Sequence, residues 1–193
     1  FRKYLQTKRG KIVKKGPGKV EFKMLGVAES LDIDLTDCEL VSKSIYTNEP
    51  TTEEALPVRI NCINGKISTG IFNGSASISL KSSSLQIEEV QARYLQLTAD
   101  SSSVEIYLRD LTRKLDLTLS NGSKATIRGP KPLLSRLRSL TTASSQSDPS
   151  PQHFSINLSA DSTIHYEERD EGENLFGYLL KKYPNKVNGG EKK

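Results

Sequence analysis

The residues whose types and spacing could do chemistry crowd the start of the chain. Arg2, Lys3, Lys8, Arg9, Lys11, Lys14, Lys15, Lys19 and Lys23 stand against Glu21 alone, which gives the first 23 residues a net charge of +8. The whole chain of 193 residues carries +5, so the other 170 residues sum to −3. Basic runs of this kind attract phosphates and anionic headgroups without regard to sequence. Arg2, Lys3, Lys8, Arg9, Lys11, Lys14, Lys15 and Lys19 are therefore the expected contacts to an anionic surface. The run also contains Gly16-Pro17-Gly18-Lys19, but this is not a phosphate loop. Such a loop needs four residues between its glycines and a hydroxyl residue after its lysine, whereas five residues separate Gly10 from Gly16 and Val20 follows Lys19.

Other chemistry is thin. Asp32, Asp34 and Asp37 invite a calcium loop, yet the central glycine and terminal glutamate of an EF-hand are absent from their required offsets. A solvated strand face explains them better. His153 and His165 are the only histidines, and neither has cysteine or carboxylate partners at metal-ligand spacing. The abundant serines lack a Gly-x-Ser-x-Gly elbow that would make one a nucleophile. Cys62 alternates with Val58 and Ile60, where a thiol packs as a small hydrophobe, and the spacing leaves a Cys38–Cys62 bridge open. Asn73, Asn121 and Asn157 match the Asn-x-Ser/Thr acceptor pattern at about the rate that this composition produces by chance. No catalytic, cofactor-binding or metal-binding residue is expected, and no small-molecule substrate is evident.

The elements that must position these residues read as strands. Ser82-Ser83-Ser84-Leu85-Gln86-Ile87 recurs as Ser101-Ser102-Ser103-Val104-Glu105-Ile106, and the same register reaches back from Ile87 to Ile67 and forward to Ile127. Short alternating runs accompany it, at Val58–Cys62, Ile78–Leu80, Leu95–Leu97 and Leu115–Leu119. Alternation with period two marks half-buried strands. A repeat of roughly twenty residues marks a stack, because one unit cannot bury its apolar face alone. Asn64-Gly65, Asn73-Gly74 and Asn121-Gly122 supply turns. The hydrophobic fraction of 35% suits a thin, elongated β-structure, and no run is apolar enough for a membrane span.

Residues 1–19 read as an extended basic arm, and residues 20–166 as the β-repeat domain. That domain is interrupted by a polar loop at 46–57 and a flexible, serine-rich linker at 141–152. Leu133, Leu134, Leu137 and Leu140 have helical spacing and predict a short helix closing one end of the stack. An acidic run follows residue 166, and Leu175, Phe176, Leu179, Leu180 and Tyr183 predict a final helix within 167–184, ahead of a disordered tail at 185–193.

Leu31–Leu35, Asn61–Ile67, the two Ser-Ser-Ser-Leu/Val-x-Ile units and Leu115–Gly122 together resemble the adhesin-like β-strand-repeat family, over about residues 27–127 with a fainter echo at 154–166. Serine replaces the family's usual glycine at several corners. The resemblance implies an all-β, right-handed solenoid-like stack without enzymatic activity, common on bacterial envelopes and also found in mitochondrial proteins. It supplies no functional residues. The leading expectation is a scaffold or interaction domain that meets a protein partner or an anionic membrane surface. The alternative is an accessory subunit of a mitochondrial or ribonucleoprotein assembly that contacts nucleic acid through its basic N-terminal residues. A basic segment that is merely solvated is the bland reading of the same charges.

Overall fold

The computed structural model describes residues 4–48, 56–109, 112–142 and 153–169, which form one parallel β-solenoid. In chain order the elements are β1 (Tyr4–Lys15), β2 (Lys19–Thr36), β3 (Glu39–Thr47), β4 (Val58–Ile63), β5 (Lys66–Asn73), β6 (Ala76–Lys81) and β7 (Ser84–Gln91). There follow β8 (Tyr94–Asp100), β9 (Ser103–Leu108), β10 (Lys114–Ser120), β11 (Lys124–Gly129), α1 (Lys131–Thr142), β12 (His153–Leu158) and β13 (Thr163–Glu168). Even-numbered strands pair with even and odd with odd, in the order β12-β10-β8-β6-β4-β2-β3-β5-β7-β9-β11-β13. The long strand β2 joins the two series: Lys19–Val27 pairs with β3 and Leu31–Thr36 with β4. The chain therefore coils, laying one even and one odd strand per turn.

The advance per coil is uneven. Val58 lies beside Ala76 and Lys66 beside Ser84, 18 positions on, while Ser103 lies beside Lys124, 21 positions on. The interval lengthens to 27 from Leu31 to Val58 and to 39 from Lys114 to His153. The first of these contains the polar loop, of which residues 49–55 lie outside the described residues. The second contains α1 and the serine-rich linker, whose residues 143–152 also lie outside them. Ile87 stands opposite Ile106 and Ile106 opposite Ile127, but Ile67 stands opposite Leu85, two residues from the partner expected of it.

Inward positions alternate along the even strands. Val58, Ile60 and Cys62, then Ala76, Ile78 and Leu80, then Leu95, Leu97 and Ala99 are all buried. The odd strands break this period in the middle. Leu40 and Ser42 face in, then Ile45 and Thr47; Ile67 and Thr69, then Phe72; Leu85 and Ile87, then Val90. Lys43, Gly70 and Glu88 sit at these breaks and drop out of the ladder in register with one another. The three-residue step resets which face the side chains take, and against β9 it leaves β7 one residue longer between Ile87 and Val90, a bulge of the kind that bends a strand. At Gly70 the bend brings backbone so close that a Cβ would lie 2.5 Å from the Lys43 carbonyl oxygen.

One corner of the coil is built the same way in five successive turns, from β2–β3 to β10–β11. Asp37, Asn64, Ser82, Ser101 and Asn121 all adopt positive φ, between 49° and 56°. Short polar side chains tolerate that conformation best after glycine. A small residue follows: Cys38, Gly65, Ser83, Ser102 and, one position later, Ser123. The buried Ser83 hydroxyl accepts from the Gly65 N–H at 3.1 Å, Ser102 from the Ser83 N–H at 3.0 Å, and Ser123 from the Ser102 N–H at 3.1 Å. Each also donates to a carbonyl of its own corner, at 2.7 Å to Lys81, Asp100 and Ser120 respectively. Cys38 and Cys62 are both free and buried.

Helix α1 forms where its leucine spacing predicts, burying Leu133, Leu134 and Leu137 against the end of the stack. The Arg136 guanidinium lies 5.0 Å from the centre of the Phe154 ring, and Thr141 Oγ1 bonds the Tyr166 hydroxyl at 2.6 Å. Burial pushes the Tyr166 hydroxyl above the usual tyrosine range, opposed in part by the bond to Thr141. The helix expected within 167–184 and the tail at 185–193 fall on residues 170–193, outside the described residues.

The start of the chain corrects the sequence reading. Tyr4–Lys15 is not an arm but a strand, paired in parallel with β2 from Tyr4 opposite Met24 to Lys15 opposite Thr36. An edge strand needs only a sparse inward row, supplied here by the partly buried Ile12, and lysines blunt its open side against aggregation. That is why a strand hides within so basic a sequence.

Two substitutions test the register. Ile106 is 1% exposed, and Ile106→Asp buries an unpaired charge at a cost of several kcal/mol, comparable to the stability of a whole domain. Gln86 is exposed, and Gln86→Lys should stay within about 0.5 kcal/mol of the parent. Equal melting temperatures would refute the inward assignment. Ser102→Ala removes the partner of the buried Ser83 N–H and should cost about 1–3 kcal/mol in urea unfolding; a cost near zero would show that the corner ladder adds nothing.

Candidate functional site: a basic edge strand and an open groove

The structure places Lys8, Arg9, Lys11, Lys14 and Lys15 on β1 and Lys19 at the start of β2, whereas Arg2 and Lys3 lie outside the described residues. It does not gather them into one pocket. The side chain of Lys8 meets Glu29 at 2.8 Å and that of Arg9 meets it at 2.7 Å. Hydrogen bonds from Lys8 and then Arg9 hold the Glu29 carboxyl below its ordinary range, and the bond to Glu29 raises the Lys8 ammonium. Lys19 pairs with Glu21 at 3.2 Å. Lys14 turns inward over the following turn, its ammonium 3.2–3.4 Å from the carbonyls of Lys15, Gly16 and Pro17.

Lys11 and Lys15 differ. Both are exposed, two and four residues apart from the outward Val13 and Lys11 respectively, in register with Asp32 and Thr36 of β2. Neither has an acidic partner within 4.0 Å among the described residues. Exposed pairs such as Lys8–Glu29 are worth little and exchange readily for another anion. The edge strand thus presents a row of exposed cations fixed to β2 along its length.

A second feature had no counterpart in the sequence reading. Over the bends of β3, β5 and β7 runs an open groove of about 460 Å³, lined by residues that include Ser42, Lys43, Ser68, Thr69, Glu88 and Arg169. At Gly70 a Cβ would lie 2.5 Å from the Lys43 carbonyl oxygen and 3.6 Å from the Glu88 carboxylate, so only glycine fits the floor of this bend. Glu89 is fixed by Arg109, whose Nε lies 3.0 Å away. Arg169, which is 5% exposed, closes one end of the groove. Its N–H donates to the Gly129 carbonyl at 2.9 Å, its guanidinium lies 4.3 Å from the centre of the Tyr107 ring, and Nη1 reaches the Glu88 carbonyl at 3.5 Å. The only advance signal was the three-residue step between inward residues such as Ile87 and Val90, easily passed over in a two-residue pattern.

His153 and His165 are both exposed on their strands. Among the described residues no three histidines, cysteines or carboxylates stand together as metal ligands, and no helix is long and apolar enough to cross a membrane. The fold is an all-β parallel solenoid. No protein-family model, curated protein or solved structure matches the chain.

The Arg169 clasp ties the last coil to the bend of β7. Arg169→Met keeps the stem but removes the guanidinium, and should lower stability by about 1–3 kcal/mol in urea. The exposed Lys124→Met should change it by less than about 0.5 kcal/mol. Equal effects would mean that the clasp is only a surface contact.

Proposed function

We propose that this chain is a non-enzymatic scaffold of the adhesin-like β-repeat kind, a right-handed stack of two-strand units of roughly twenty residues. In this reading it lies against an anionic membrane or envelope surface through its basic first coil. The observation that carries the reading is the row of exposed cations on β1, fixed to β2 along its length, with Lys11 and Lys15 unpaired among the described residues. Near an anionic bilayer each such residue contributes about 1 kcal/mol, and the attraction fades within a Debye length of about 8 Å at physiological salt. The parallel stack contributes stiffness, so the cations keep their spacing as they approach the surface.

The test uses the full chain, because removing residues 1–23 would also remove β1 and Lys19–Lys23, the first residues of β2 that pair with β3. Binding to phosphatidylserine vesicles and to a structured RNA is measured at low and physiological salt. Lys11→Glu with Lys15→Glu should weaken vesicle binding at least about tenfold, while Lys124→Glu on β11 leaves it near the parent value. The circular dichroism of both variants should match the parent. Equal binding by the double variant would remove the basic coil from the contact. Retention of RNA over vesicles at physiological salt would instead favour a nucleic-acid partner.

A further inference from the structure

Building on the reading of the chain as a membrane-surface scaffold, we infer that its first coil inserts end-on into an anionic bilayer, carrying exposed apolar side chains in among the lipid headgroups. Val13, Met24, Tyr46 and Ile63 are the large hydrophobic side chains that stay 36–53% exposed among the described residues. Single exposed apolar residues are ordinary on any surface. These four, however, all gather at one end of the stack, one each on β1, β2, β3 and β4, and that end is the basic one. The far end offers no such combination: the exposed Ser155 and Asn157 of β12 and Thr163 and His165 of β13 are polar.

Val13 stands outward between Lys11 and Lys15, and all three are exposed. Its register partner is Asp34, which lies beside Asn61, and Ile63 follows two residues along β4 on the same face. Met24 and Tyr46 occupy the opposite face, Met24 beside Ser44 and Tyr46 beside Gly26. β1 is the edge, β2 adjoins it, and β3 and β4 each adjoin β2. With strands about 4.8 Å apart, Met24 lies one spacing in from the edge and Tyr46 and Ile63 two, so all four sit within about 10 Å of it. Interfacial elements bury their apolar side chains about 5–10 Å into the boundary between headgroups and acyl chains. The depths match, so both faces of the coil enter together with the edge leading. Charge favours the same pose. Residues 4–36 hold seven basic and four acidic residues, a net +3, and Glu21 and Glu29 are already paired with cations of the same coil.

The chain contains no tryptophan, so a single introduced one reports on its own position. In the full chain, Val13→Trp and Met24→Trp are compared with Ser103→Trp, at an exposed position on the distant β9. On vesicles of phosphatidylserine and phosphatidylcholine, emission from the first two should shift to the blue and be quenched by brominated acyl chains. Emission from the third should stay as it is in buffer. Val13→Thr combined with Met24→Gln keeps the strand shape and should weaken vesicle binding at physiological salt about tenfold. No blue shift in either reporter while the vesicles are still bound would overturn insertion and leave adsorption standing. Parent-like binding by Val13→Thr with Met24→Gln would do the same. A parent chain that does not bind these vesicles would overturn the membrane reading itself. The two reporters lie on opposite faces, so the measurement stands should one variant fail to fold.

Discussion

A chain that coils into parallel strands must turn a tight corner in every coil without burying peptide groups that have lost their partners. The rest of this structure depends on how that is met. A residue with positive φ turns the backbone, and a small residue after it places a hydroxyl where the neighbouring coil's N–H needs an acceptor. Hydroxyl and peptide then alternate from Gly65 through Ser123. Coil-to-coil backbone bonds accompany them, as from Asn64 N–H to the Lys81 carbonyl and from Ser82 N–H to Asp100. An unmet buried peptide group costs about as much as a whole hydrogen bond gains. The serine-rich corners are therefore structural, and need no catalytic explanation.

Once the corner is secured, the core can stay thin. One row of side chains from the even strands meets another from the odd strands, and Val, Ile and Leu at alternate positions fill the space between. The bends in the odd strands complicate this picture productively. They turn Phe72 and Val90 inward after a three-residue step, and they leave a groove outside. Packing and surface shape thus arise from the same inserted residues, Lys43, Gly70 and Glu88.

Function in such a molecule lives on its edges and faces. A parallel stack cannot close its ends on itself, so the terminal strand meets water along one side. Here that strand is the most basic part of the chain, and its lysines discourage pairing with another copy. The groove over the bends of β3, β5 and β7 sits on a different part of the stack, away from that strand.

The sequence by itself determined the local grammar. Period-two runs at Val58–Cys62 and Leu115–Leu119, the Ser-Ser-Ser corners and the leucines of α1 can be read directly, because strand alternation and helical spacing are properties of neighbouring residues. The basic residues could be read as a cluster for the same reason. Tertiary structure alone decided that Tyr4–Lys15 is a strand: its apolar content is too sparse to announce one, and it is held by β2, 20 positions away at Tyr4–Met24. It also decided that Ile67 meets Leu85 and that Arg169 reaches Glu88, 81 positions earlier. Pairing between coils depends on the exact number of residues spent at each corner, bend and insertion. The one extra residue that β7 spends between Ile87 and Val90 moves Val90 opposite Leu108 of β9 without altering the alternation on either side.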